Sequence, residues 1–138
     1  MGKVRCRTLK EIIGERQLPL VDFLKIDTEG NDFPVLKSLA EYLRPSFARV
    51  IHVEMTRNAE AIFKLMTDCG YAGFTVRDQS GRQLALKFQA YERGGPASFF
   101  HPVETASDCG HDVLWCGKDS IVAGHLKDLG DEFSTLSP

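Results

Sequence analysis

In the stretch VDFLKIDTEGNDF, four charged side chains (Lys25, Asp27, Glu29 and Asp32) follow an apolar run. A second apolar run, ARVIHVEM, carries a carboxylate near its end at Glu54. Carboxylates so placed can take a proton from a hydroxyl, hold a polar group in position or face a hard cation. On a pleated strand Phe23, Lys25 and Asp27 share a face, which sets Lys25 and Asp27 up to pair; Val50, His52 and Glu54 share a face in the same way. If both runs are parallel strands, their carboxylates meet on one rim, where loops and helix N-termini surround a crevice. Gly30 lets the chain turn sharply, and the helix that follows presents its positive end. The same residues also have a plainer reading. Asp27 to Asp32 form an acidic cluster that caps the next helix, Lys25 runs out along the sheet, and His52 is satisfied within it.

These side chains must be positioned by regular elements, and the periodicities supply them. TLKEIIGERQL places Leu9, Ile12 and Ile13 on one helical face and ends before Pro19. VDFLKI, bounded by Pro19 and Gly30, has the pattern of a strand buried on both faces. DFPVLKSLAEYLR repeats apolar residues at helical spacing, with Asp32 placed to cap it, Pro34 tolerated in its first turn and Pro45 after its end. ARVIHVEM is a second buried strand, and NAEAIFKLMTDCG a helix capped by Asn58 and closed by Gly70. Strand, helix, strand, helix implies a parallel pair joined by crossovers. Beyond it, YAGFTVRD, a turn at QSGR and the alternating QLALKFQ read as a hairpin. ERGGPASFFHPVETASDCG reads as a loop, HDVLWCG as a final strand and DSIVAGHLKDL as a last short helix. Trp115 and the neighbouring Phe99 and Phe100 are expected to pack rather than to cage a ligand. The expected division is one domain over residues 1–130 and a polar tail over 131–138.

Composition narrows the function classes. A chain of 138 residues can bury roughly two thirds of its unfolded surface in one core. With 17 basic against 19 acidic residues and both signs scattered, it carries no footprint for nucleic acid. Cys6, Cys69, Cys109 and Cys116 form no CxxC pair, which fits free thiols and a cytoplasmic setting. Cys109, His111 and Cys116 lack a fourth ligand at a regular spacing, so no metal site is read there. MGKVRCRTLK has no apolar segment behind its basic residues and carries Cys6 where a myristoylation motif needs Ser or Thr. No apolar run approaches the length of a membrane span.

Together, RTLKEIIGERQLPLVDFLKIDTEGNDFPVLKSL, ARVIHVEM and HDVLWCG resemble the C-terminal half of the FkbM-type methyltransferase family, with LKIDTEG as the most specific block. The chain departs from that family at Lys10, where an aspartate is usual, and at Asp32, where a glutamate is usual. The resemblance implies an α/β, Rossmann-like methyltransferase sheet: parallel strands, then an antiparallel finish. It implies S-adenosylmethionine as cofactor and methyl transfer to the hydroxyl of a sugar- or polyketide-like small molecule. By that resemblance Asp27 faces the methionine portion of the cofactor and the acceptor, Glu29 and Glu54 hold or deprotonate the acceptor hydroxyl, and Lys25 orients Asp27. No metal is assigned, although a carboxylate rim also suits a hard cation.

No G-x-G-x-G loop occurs in the chain. In this fold that loop lets backbone approach the cofactor, and an acidic residue after the second strand grips the ribose. The expectation is therefore a fragment that carries the catalytic side without the cofactor side. Its exposed sheet edge would then drive self-association or pairing with the missing N-terminal half. The alternative is a non-catalytic remnant that serves as an interaction module.

Overall fold

The computed structural model describes residues 5–55, 57–78, 80–84 and 98–134. Helix α1 (Leu9–Arg16) starts in a capping box: Thr8 Oγ1 accepts from Glu11 N at 3.2 Å while Glu11 Oε2 accepts from Thr8 N at 2.8 Å. It ends where Gln17 turns left-handed at φ 50°. Strand β1 (Val21–Ile26), helix α2 (Asp32–Ser38), strand β2 (Ala48–Glu54) and helix α3 (Ala59–Asp68) follow in the expected order. Strands β1 and β2 are parallel neighbours, with Lys25 beside His52 and Ile26 beside Val53.

The remaining strands are β3 (Tyr71–Asp78), β4 (Gln83–Leu84), β5 (Ser98–Val103) and β6 (Asp112–Gly117), and helix α4 (Ile121–Ser134) closes the described chain. Strand β6 runs antiparallel between β2 and β3, so the sheet order is β1-β2-β6-β3-β4, with β5 also paired to β3. The result is the α/β mixed sheet that the sequence predicted. The main core, built on Ile26, Leu36, Ile51, Val53, Ile62, Met66, Val113 and Trp115, joins α1, α2 and α3 to the sheet. A smaller cluster of Phe74, Leu114, Cys116, Ala123 and Leu126 seats α4 on the opposite face. Among the described residues no helix is long and apolar enough to cross a membrane.

Several expectations are corrected. Strand β1 is not buried on both faces: Asp22, Phe23 and Lys25 are exposed, because β1 ends the sheet and α4 sits over β5 and β6 instead. Helix α2 stops at Ser38, since Leu39 N and Ala40 N donate three residues back, to Leu36 O and Lys37 O, and tighten the chain into turns. Ser38 Oγ also donates to Val35 O at 2.7 Å, which competes with a further helical turn. Asp32 does not act as a side-chain cap of α2; Asn31 holds the cap position without a side-chain bond. Asn58 precedes α3 in the left-handed region, at φ 59°, and likewise makes no side-chain cap bond.

The predicted loop contains β5, whose aromatic and β-branched residues pair with β3 despite the proline at 102. The hairpin is seen as β3 and β4 around a turn held by Asp78 Oδ1, which accepts from Ser80 N and Arg82 N. The alternation beyond Leu84 lies outside the described residues, as does the tail from residue 135. Helix α4 runs through Ser134, beyond the DSIVAGHLKDL segment expected to hold it.

Candidate active site

Strand β1 carries its last side chains to the carboxyl edge of the sheet, and Asp27 stands one residue beyond it. Lys25 Nζ lies 2.8 Å from Asp27 Oδ2, the pair expected from the pleat. Strand β2 ends at Glu54 on the adjacent strand, which brings a second carboxylate to the same rim. Glu29 reaches it from the connecting loop, and the carboxylates of Asp27, Glu29 and Glu54 lie within 4.8 Å of one another. That spacing would suit a hard cation, but exposed acidic groups commonly cluster without one, and the spacing by itself assigns none.

The loop that carries Glu29 is built by Asp32. Its side chain is buried, Oδ1 accepts from Thr28 N and Thr28 Oγ1 at 2.9 Å each, and Oδ2 accepts from Gly30 N at 3.2 Å. The residue that the sequence marked as a cap thus works backwards, holding Thr28 to Gly30 in a fixed turn. Within that turn Glu29 and Gly30 are left-handed, at φ 52° and 97°. Gly30 is favoured by its φ, which disfavours other residues, while the 3.0 Å between a Cβ there and Arg57 Cδ could be relieved by the exposed arginine side chain.

The electrostatics separate the two neighbouring carboxylates. Asp27 is held below the usual aspartate range, first by its hydrogen bond with Lys25 and then by its bond with Glu54. Glu54 is pushed above the usual glutamate range, first by its hydrogen bond with Asp27, then by burial and by the charges of Asp27, Glu29 and Asp112. Lys25 is raised as well, by the same bond to Asp27. Physically, a proton taken up by the pair resides on Glu54 in preference to Asp27, because Lys25 stabilises the Asp27 anion and that anion in turn disfavours a charge on Glu54.

Behind the rim, His52 is fully buried, and its Nε2 lies 2.8 Å from Asp112 Oδ1. Asp112 opens β6 directly opposite Glu54 in the antiparallel register. Sequence reasoning did not single out Asp112, although a carboxylate at the end of an apolar strand is the signal that found Glu54. Arg57, which covers Gly30, gave no sequence signal. Beside β1 an open cleft of about 560 Å³ is lined by Arg7, Leu24, Lys25, Asp27, Thr28 and Val35 among others. It brings cationic, anionic and apolar groups together at the carboxyl end of the strand. Trp115 and Phe100 pack in the two cores, as expected of them, and all four cysteines are free thiols, with Cys109 and Cys116 buried.

The structure therefore gathers Lys25, Asp27, Glu29 and Glu54 at one place. Comparison with curated proteins and with solved structures finds no match. The Methyltransferase FkbM domain matches residues 3–72, a span that includes α1, the LKIDTEG block, its loop and β2. The chain belongs to the FkbM methyltransferase family.

Proposed function

We propose that the rim is the acceptor side of an O-methyl transfer site, in which S-adenosylmethionine is the donor and a hydroxyl of a sugar- or polyketide-like small molecule is the acceptor. One observation carries this reading: at the carboxyl ends of adjacent parallel strands, Asp27, Glu29 and Glu54 converge within 4.8 Å beside Lys25, and the proton affinities of Asp27 and Glu54 are driven in opposite directions. Two carboxylates so separated have distinct roles available to them, one as a fixed anion and one as a proton carrier.

The cleft beside β1 fits the zwitterionic amino-acid end of the cofactor. Asp27 faces an ammonium, and Arg7 and Lys25 face a carboxylate. Bound there, S-adenosylmethionine supplies a methyl group on a positively charged sulfur. The protein's part is mostly placement, since displacement in line needs the acceptor oxygen held close and aligned. Lys25 fixes the Asp27 carboxylate, and Glu29 accepts a hydrogen bond from the acceptor. Glu54, when ionised, takes the hydroxyl proton onto a carboxylate oxygen, and its raised proton affinity makes it the stronger base of the two carboxylates. The adenosine end has no G-x-G-x-G run to receive it among these residues. The chain in this reading contributes the catalytic side, and a glycine-loop segment contributes the rest.

The test is label transfer from methyl-labelled S-adenosylmethionine to a panel of sugar and polyketide-like hydroxyl compounds, with the chain alone and with a G-x-G-x-G-bearing segment joined to it. Asp27→Asn should lower transfer by about a hundredfold or more. Its melting temperature should stay within roughly 1 °C, because the Lys25–Asp27 pair is exposed. Intact transfer accompanied by lost stability would return these residues to a purely structural role. A second reading, an interaction module, is favoured by the edge of β1, which no other strand covers among the described residues.

A further inference from the structure

A second cavity, of about 170 Å³, opens at the other end of β1. Its walls include Leu9 and Ile13 of α1, Leu24 of β1, and Leu39, Tyr42 and Phe47 from the turns between α2 and β2. It presents no polar surface, and Tyr42 and Phe47 form one wall with ring centroids 5.0 Å apart. Leu18, 40 % exposed, stands at its mouth, while Ile13, Leu39, Leu43 and Ala48 are buried around it. Leu9 and Leu24 line both this cavity and the cleft at the rim, so the two spaces adjoin along β1, the cavity reaching back to Val21 and the cleft forward to Asp27.

A water molecule in such a space would need two to four polar partners, and the walls provide none. Apolar cavities of about 150 Å³ lined by Leu, Ile and Phe accept a benzene ring, and this one is of similar size and composition. We propose that it is a binding site for a free, uncharged molecule of single-ring size, an arene or a compact hydrocarbon, held in the apolar space that adjoins the cleft at the rim. The two tilted rings suit an aromatic guest, which can meet one of them edge to face. Leu18 and Val21 lie on the open side of α1 and β1, so entry needs no opening of the main core.

Benzene is the probe. Titrated into the dilute chain and followed by methyl-resolved NMR, it should give saturable shifts at Leu9, Ile13, Leu24 and Leu39, with a dissociation constant of about millimolar or tighter. The same additions should raise the melting temperature, since a ligand bound by the folded state alone stabilises it. Ala48→Leu, which adds carbon to the cavity floor, should weaken binding at least tenfold. Val21→Phe, at a half-buried position of β1, should do the same and serves if Ala48→Leu does not fold. No saturable shift up to the solubility of benzene, or shifts that survive in both filled variants, would overturn the proposal. So would shifts at these residues that follow chain concentration instead of benzene, since they would show a side chain of a second copy in the cavity.

Discussion

At the scale of single residues, the opposed proton affinities of Asp27 and Glu54 make a measurable claim about pH. Glu54 has a folded-state proton affinity above its ordinary value. The stability that its proton contributes is therefore fully present at acid pH and lost as pH climbs through the raised value. A glutamine at this position stays neutral and keeps a donor for Asp27 at every pH. Glu54→Gln should therefore melt roughly 1–3 °C above the parent near pH 8 and level with it near pH 4. Thermal melts across that range check it, and a variant that melts lower at pH 8 would mean that the two carboxylates do not share a proton. Asp32 shows why residue types alone were not sufficient. An aspartate before an apolar helical pattern signals a cap, and only the folded loop reveals that its oxygens are taken by Thr28 and Gly30.

At the scale of elements, β1, β2, β3, β6 and the four helices α1 to α4 were legible, because their apolar patterns are clear and most of their boundaries carry Pro, Gly or capping residues. Strand β5 was not. Gly94, Gly95 and Pro96 precede it in the sequence, and its pairing is fixed by β3, a partner distant in sequence. Nor did the pattern of VDFLKI tell an edge strand from a central one, since exposure depends on what the rest of the chain covers. Close packing between strands brings its own demand at Gly73. A Cβ there would meet Trp115 Cζ3 at 2.9 Å and Val113 Cγ1 at 3.0 Å. Gly73→Ala should cost about 1–3 kcal/mol in chemical denaturation, because the ring above it is buried and cannot retreat. The edge of β1 has the opposite character. Phe23 is 43 % exposed there, and we expect the chain to self-associate at tens of micromolar, with Phe23→Lys reducing the effect in sedimentation. A monodisperse parent at that concentration would count against an adhesive edge.

At the scale of the whole molecule, the four site residues named from sequence converge, because two parallel strands in register end together. Their support was hidden: Asp112 comes from a strand more than fifty residues away, and its contact with the fully enclosed His52 spans that distance. In the proposed reading the rim reaches only the amino-acid end of S-adenosylmethionine. Contacts to the amino-acid end alone forgo most of the free energy of a nucleoside ligand, at about tenfold in affinity for each 1.4 kcal/mol lost. Calorimetric titration of residues 1–138 with S-adenosylmethionine should therefore give a dissociation constant near millimolar. A low-micromolar value would place the adenosine contacts inside this chain.

Trp115 lies fully enclosed on β6, between the strands that carry the rim and the hairpin side of the sheet, with Phe63 at 6.1 Å between ring centroids. It is the sole tryptophan of the chain. All indole fluorescence therefore comes from one shielded ring in the middle of the sheet. Its emission should be blue-shifted and insensitive to collisional quenchers such as acrylamide, and should turn red only when β2, β6 and β3 separate.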